Sequence, residues 1–107
     1  MGRYFANLPS MVIAVDGTVS TTITAYLDDA KSITITAPSA LTGTVTIQGS
    51  VNGGTTYVDI GSGGSDVTIG AGNAVTITDP AFNAIRLSSS GAEAAERTFL
   101  VGKTFEV

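Results

Sequence analysis

The side chains in this sequence that could do chemistry are nearly all carboxylates. Asp28, Asp29, Asp59, Asp66, Asp79, Glu93 and Glu96 could in principle supply the paired acids of a glycosidase, one to protonate the leaving oxygen and one to attack or activate water. Most of them fall in segments that read as turns or loops, where an Asp side chain hydrogen-bonds its own backbone, so they are expected to be turn formers. Nucleophilic catalysis of the Ser-His-Asp or Cys-His kind cannot be assembled, because the chain contains neither His nor Cys. Gly102-Lys103-Thr104 imitates the end of a phosphate-binding loop, but Arg97 stands where the first glycine belongs and a strand pattern surrounds it. Gly61 to Asp66, GSGGSD, partly matches a calcium-binding nonapeptide whose next repeat has Val75 in place of an Asp. Tyr26 and Tyr57 are the stacking residues a sugar platform would use. The expectation is a chain with no catalytic residues, no cofactor and no metal.

Composition points to what these residues are mounted on. Of the hydrophobic residues 13 are Ala, so the core must come from larger ones, led by 10 Val and 9 Ile against 5 Leu. β-branched side chains are stiff at χ1 and pack well on a pleated surface, which favours strands. At 107 residues the chain reads as a single domain, 1-107, with one core. The net charge is −4, and the five basic residues, Arg3, Lys31, Arg86, Arg97 and Lys103, are scattered. A nucleic-acid surface needs a basic patch, so no nucleic-acid partner is expected. No membrane partner is expected either, since Met11 to Val15, the longest apolar run of the first half, is far short of the roughly 20 residues of a spanning helix. The N-terminus predicts a soluble chain made without a secretory signal, acting alone or with copies of itself.

The clearest element is a β-hairpin within Leu41 to Gly61. Val45, Ile47 and Val51 fall on one face of its first strand with Gly49 between them; Asn52-Gly53-Gly54-Thr55 makes the turn, and Val58 and Ile60 share a face of the second strand. Residues 1-11, MGRYFANLPSM, show no period of 2 or 3.6 long enough to name an element and read as an N-terminal arm. Its Arg3, Tyr4, Phe5 and Leu8 are candidate partner-binding residues, because exposed aromatic anchors suit interfaces. Met11 to Val15 predicts a short strand, and Val19 to Leu27 a second with Val19, Thr21, Ile23, Ala25 and Leu27 on one face. Ser32 to Ala37 predicts a third, through Ile33 and Ile35. A flexible Gly61 to Ser65 precedes a second hairpin, Asp66 to Gly70 with Asn73 to Thr78. Phe82 to Ser88 reads as a strand, SSGAEAAE at 89–96 as a loop with one turn, and Arg97 to Val107 as a last strand with Phe99 and Val101 inward, interrupted near Gly102. About eight or nine short strands at this spacing predict an all-β antiparallel β-sandwich, jelly-roll or Ig-like, with an N-terminal arm.

From Ser32 to Val101 the segments SITITAP, TVTIQGSVNGGTTYVDIG and FNAIRLSSS resemble the small β-sandwich proteins of tailed bacteriophages. The resemblance implies a non-enzymatic virion structural protein made in the host cytoplasm. On that reading it is a capsid decoration or cement protein on the capsid surface, a homo-oligomer that binds the major capsid protein and stabilises the head. Alternatives within it are a tail or connector component, or a carbohydrate-binding module displayed on the virion.

Overall fold

The computed structural model describes residues 3–62 and 65–106, and every regular element in them is a strand. In chain order these are β1 (Arg3–Ile13), β2 (Ser32–Thr36), β3 (Val45–Ser50), β4 (Val58–Asp59), β5 (Gly61–Ser62), β6 (Ser65–Asp66), β7 (Thr68–Ile69), β8 (Ala74–Thr78), β9 (Ala84–Ser89) and β10 (Arg97–Glu106). One sheet runs β1-β10-β2-β8; in the other, β3 has β9 on one side and β4 followed by β7 on the other. All pairings are antiparallel, and β5 and β6 form a two-stranded ribbon of their own. Single bridges Val19↔Ser88 and Ile23↔Ile85 lay residues 19–23 along the free side of β9. With that segment counted as a strand, the chain changes sheet at every step except from β3 to β4 and β7. This is the winding of a jelly roll, and it decides between the two sandwich topologies that the strand count allowed.

The alternation of β2 shows why the sequence folds this way. Ile33 and Ile35 are fully buried, while Ser32, Thr34 and Thr36 face out, where Ser32 and Thr104 and Thr34 and Thr76 join hydroxyls across strands at 2.6 and 2.8 Å. Met11, Ile13 and Phe99 from the same sheet meet Val45, Ile47, Ile85 and Leu87 from the other, all at zero exposure. Each such side chain stabilises the fold by roughly 1.5–3 kcal/mol. β10 passes through Gly102 without a break, contrary to the expected interruption.

The segment expected to be an arm is instead part of the longest strand. Arg3–Ile13 pairs with β10 along its whole length, and a bulge hides it from a periodicity reading: Leu8 opposes Val101 and Met11 opposes Phe99, so β1 carries one extra residue at Pro9-Ser10. The two inward residues are therefore three apart. The expected second hairpin does not form either, because β7 joins β3 while β8 joins β2 in the other sheet. The turn between them is tied to the end of β2 by Gly72 N–H donating to Pro38 O (2.7 Å) and Ala37 N–H to Asn73 O (2.9 Å), with Gly72 at a φ of 71°. In the first hairpin Val51 lies 78% exposed rather than inward, as the chain turns at Ser50. Residues 89–96 hold no helical turn.

Around Val19 the expected faces are reversed: Ser20 is buried and Val19 is 47% exposed. The Ser20 hydroxyl accepts from Leu87 N–H (2.8 Å) and donates to Thr21 O (2.7 Å), so a polar residue sits inward by replacing a missing ladder bond. Ser20→Ala should cost about 1–3 kcal/mol, the penalty of leaving the buried Leu87 amide unpaired. Urea unfolding checks this, and an unchanged midpoint would mean the amide finds another acceptor.

Candidate assembly surface

β1 is the outermost strand of its sheet, with β10 on its inner side. At its far end the outer side is closed, since Val12 N–H donates to Thr21 Oγ1 (3.0 Å) and Thr21 N–H to Val12 O (2.9 Å). From Arg3 to Ser10 no strand pairs with that side among the described residues. A run of backbone donors and acceptors left open in this way is a template for another strand. Natural edges are blunted by charge, proline or a bulge, and the bulge at Pro9-Ser10 does so at the far end, yet from Arg3 to Leu8 Arg3 is the one charged residue and Tyr4 and Phe5 are 51% and 68% exposed.

The two aromatics are held on opposite faces. Tyr4 stacks on Phe105, its cross-strand partner, with ring centres 5.8 Å apart and planes 27° from parallel. Phe5 lies across Gly102, where an added Cβ would come within 2.9 Å of two ring carbons, so the ring can lie flat on the sheet only over glycine. Three of the four predicted partner-binding residues thus share the exposed end of β1. Leu8 does not join them: it is only 9% exposed and packs inward opposite Val101.

Beside Phe105 lies a residue that sequence reasoning passed over as part of a false phosphate loop. Lys103 is buried in β10, with Nζ donating to Tyr26 O (2.8 Å) and Asp29 Oδ1 (2.5 Å) and lying 5.2 Å from the Phe105 ring centre and 5.9 Å from that of Tyr26. It pins the 26–29 turn and backs the Tyr26 and Phe105 rings with a fixed cation, Phe105 being the ring on which Tyr4 stacks. The signal was available: position 103 continues the inward alternation of Phe99 and Val101, and a lysine there must bring its own partners.

Three of the candidate acids are committed to partners within the fold. Asp29 is committed to Lys103, and Asp59 accepts from Gln48 Nε2 (2.8 Å). Glu93, expected to be a turn former, is fully buried and clamps three loops. Its carboxylate accepts from Thr42 N–H (2.8 Å), Gly43 N–H (2.9 Å), the Ser89 hydroxyl (2.7 Å) and Arg97 Nε (2.9 Å). Its backbone also bonds Asp16 and Gly17. Burial pushes this carboxyl up, but the four donors outweigh it and hold the pKa at about 2. A carboxylate with its lone pairs filled neither gives nor takes a proton at neutral pH. Among the described residues no three acids gather where they could hold a metal; Gly63 and Gly64 of the glycine-rich candidate lie outside the described residues. Of the two tyrosines proposed for sugar stacking, Tyr57 has one face covered by the Arg86 guanidinium at 4.3 Å.

Fold and surface together define a small all-β jelly roll with one open, aromatic sheet edge. No protein-family model and no curated protein matches the chain. A solved structure described as "Bacillus endospore appendages form a novel family of disulfide-linked pili" aligns over 98% of this chain and 88% of that one, with 18% identity and a TM-score of 0.48. The 107 residues here contain no cysteine, so none of them can enter a linkage of that kind.

Proposed function

We propose that this protein is a non-enzymatic structural subunit that holds neighbouring proteins through β1. The observation that carries this reading is the open edge from Arg3 to Ser10, flanked by exposed Tyr4 and Phe5. In its finer form the protein decorates a tailed-phage capsid, binding the major capsid protein at many equivalent sites as a homo-oligomer. Repetition favours such a role, because weak contacts at neighbouring lattice sites reinforce one another through effective concentration.

The test uses a Tyr4→Ser/Phe5→Ser variant, which removes two exposed anchors and leaves the core untouched. Its thermal midpoint should stay close to that of the unmodified protein. In co-sedimentation with emptied tailed-phage capsids, the unmodified protein should pellet with the shells and the variant should lose occupancy by about tenfold or more, as expected when interface anchors are removed. Equal occupancy would take β1 out of the contact. An unmodified protein that stays in the supernatant would remove the shell assignment.

A further inference from the structure

The two lateral sides of the sandwich are not alike. On one side β1 lies over β9, and residues 19–23 close the gap between the sheets. On the other, β8 and β7 face each other across a groove of about 570 Å³, lined by Asp66, Val67 and Thr68 on one wall and Thr76, Ile77 and Thr78 on the other. No strand pairs with the outer side of β8 among the described residues. Each molecule therefore carries an aromatic edge strand on one flank and an open edge beside a groove on the opposite flank.

Resting on the reading of β1 as the contact strand, we propose that within a row of copies its occupant is the β8 groove of the next copy, so that copies add head to tail and continue the sheet. Only the copy at the end of a row then offers a free β1 to the shell. Strand sense fits. Every step of β1-β10-β2-β8 is antiparallel, so β8 runs opposite to β1, and a copy arriving in the same orientation presents its β1 antiparallel to β8. Length fits too, since the five residues of β8 can be matched within the open, bulge-free stretch Arg3 to Leu8. Side-chain parity then fixes the faces. With Arg3 opposite Thr78, Tyr4 meets Ile77 and Ala6 meets Val75 on the groove side, while Phe5 meets Thr76 and Asn7 meets Ala74 on the outer side.

Charge agrees with that register. Arg3 is the one charge in β1, and in this register it lies beside Asp79, the residue that follows β8; Asp66 stands on the far wall of the groove. Contacts of this kind join two different patches and do not close on a pair. Each added copy carries four strands at a twist of roughly −20 to −25° per strand, so successive copies turn by about a quarter of a revolution and build a twisted row.

The absence of cysteine makes the test clean. The chain carrying both Asn7→Cys and Ala74→Cys, two exposed positions, should give on mild oxidation a ladder of covalent multimers; a Thr76→Cys partner in place of Ala74→Cys reads the register shifted by two residues. Each single variant alone should give no covalent multimer, and a mixture of the two should give one covalent heterodimer. Dimerisation of Asn7→Cys by itself would overturn head-to-tail addition in favour of two-fold pairing of β1 and leave β1 as the contact strand. If no combination cross-links while the Tyr4→Ser/Phe5→Ser variant still loses shell occupancy, self-assembly through β8 is wrong and the reading of β1 stands. If neither effect is seen, both fail.

Discussion

Replacing Glu93 with alanine should lower stability by about 3 kcal/mol, because it removes the one carboxylate that, among the described residues, pairs with a largely buried Arg97. The Thr42 and Gly43 amides lose their acceptor in the same step. Solvent can reach part of this loss, since the clamp is roofed by exposed loop residues such as Thr42 and Ser90 rather than by the sandwich. For a domain of this size the drop corresponds to a fall in thermal midpoint of about 12–24 °C. Glu93→Gln isolates the charge. With the folded pKa held at about 2, below the ordinary 4.5, the ionised clamp stabilises the fold fully above pH 4.5 and loses that contribution as pH falls through 2. Its size is of order 2 kcal/mol once shallow burial is allowed for. Urea midpoints followed across that window should therefore fall more steeply for the unmodified protein than for Glu93→Gln. Parallel curves would show that Glu93 does not carry the linkage.

Gly43→Ala attacks the same clamp from its other side and should cost about 2–3 kcal/mol, in the range of an overpacked site. The new Cβ would fall 2.5 Å from Ser89 Oγ, 2.9 Å from Ser90 Oγ and 2.8 Å from Gly91 N. The hydroxyls can rotate away, but the Gly91 amide cannot, so residues 42 and 43 must withdraw from the carboxylate they donate to. Combined with Glu93→Ala, the change should then cost clearly less than the sum of the single effects, because the contact it disturbs is already gone. Strict additivity in a double-mutant cycle would show that the glycine is required for some other reason.

The sandwich was legible wherever one residue type alternates with another. In Ser32 to Thr36 and Val45 to Gln48 the β-branched residues face the core and the hydroxyls face out, and both segments fold as read. Legibility failed where the physics is not periodic. The bulge at Pro9-Ser10 shifts Met11 by one place and made a strand look like an arm. Ser20 breaks the rule that inward means apolar, because its hydroxyl stands in for a ladder bond to Leu87. The turn at 70–73 has hairpin chemistry but delivers β8 to the other sheet, a choice made by contacts with Pro38 and Ala37 far away in sequence. The candidate surface was half visible: Tyr4 and Phe5 announce themselves by type, whereas Lys103 and Gly102, which hold their surroundings, gain meaning only from the register of β10 against β1.

The most direct test of the central claim, that the outer side of β1 is where this molecule holds its neighbours, is amide hydrogen exchange at low and high protein concentration. Protection should rise with concentration at those amides of Arg3 to Ser10 that do not already bond β10, while the amides of β3, already within a paired sheet, stay unchanged. Exchange in Arg3 to Ser10 that is equally fast at every concentration, in a protein that sediments as an assembly, would place the contact elsewhere and contradict it.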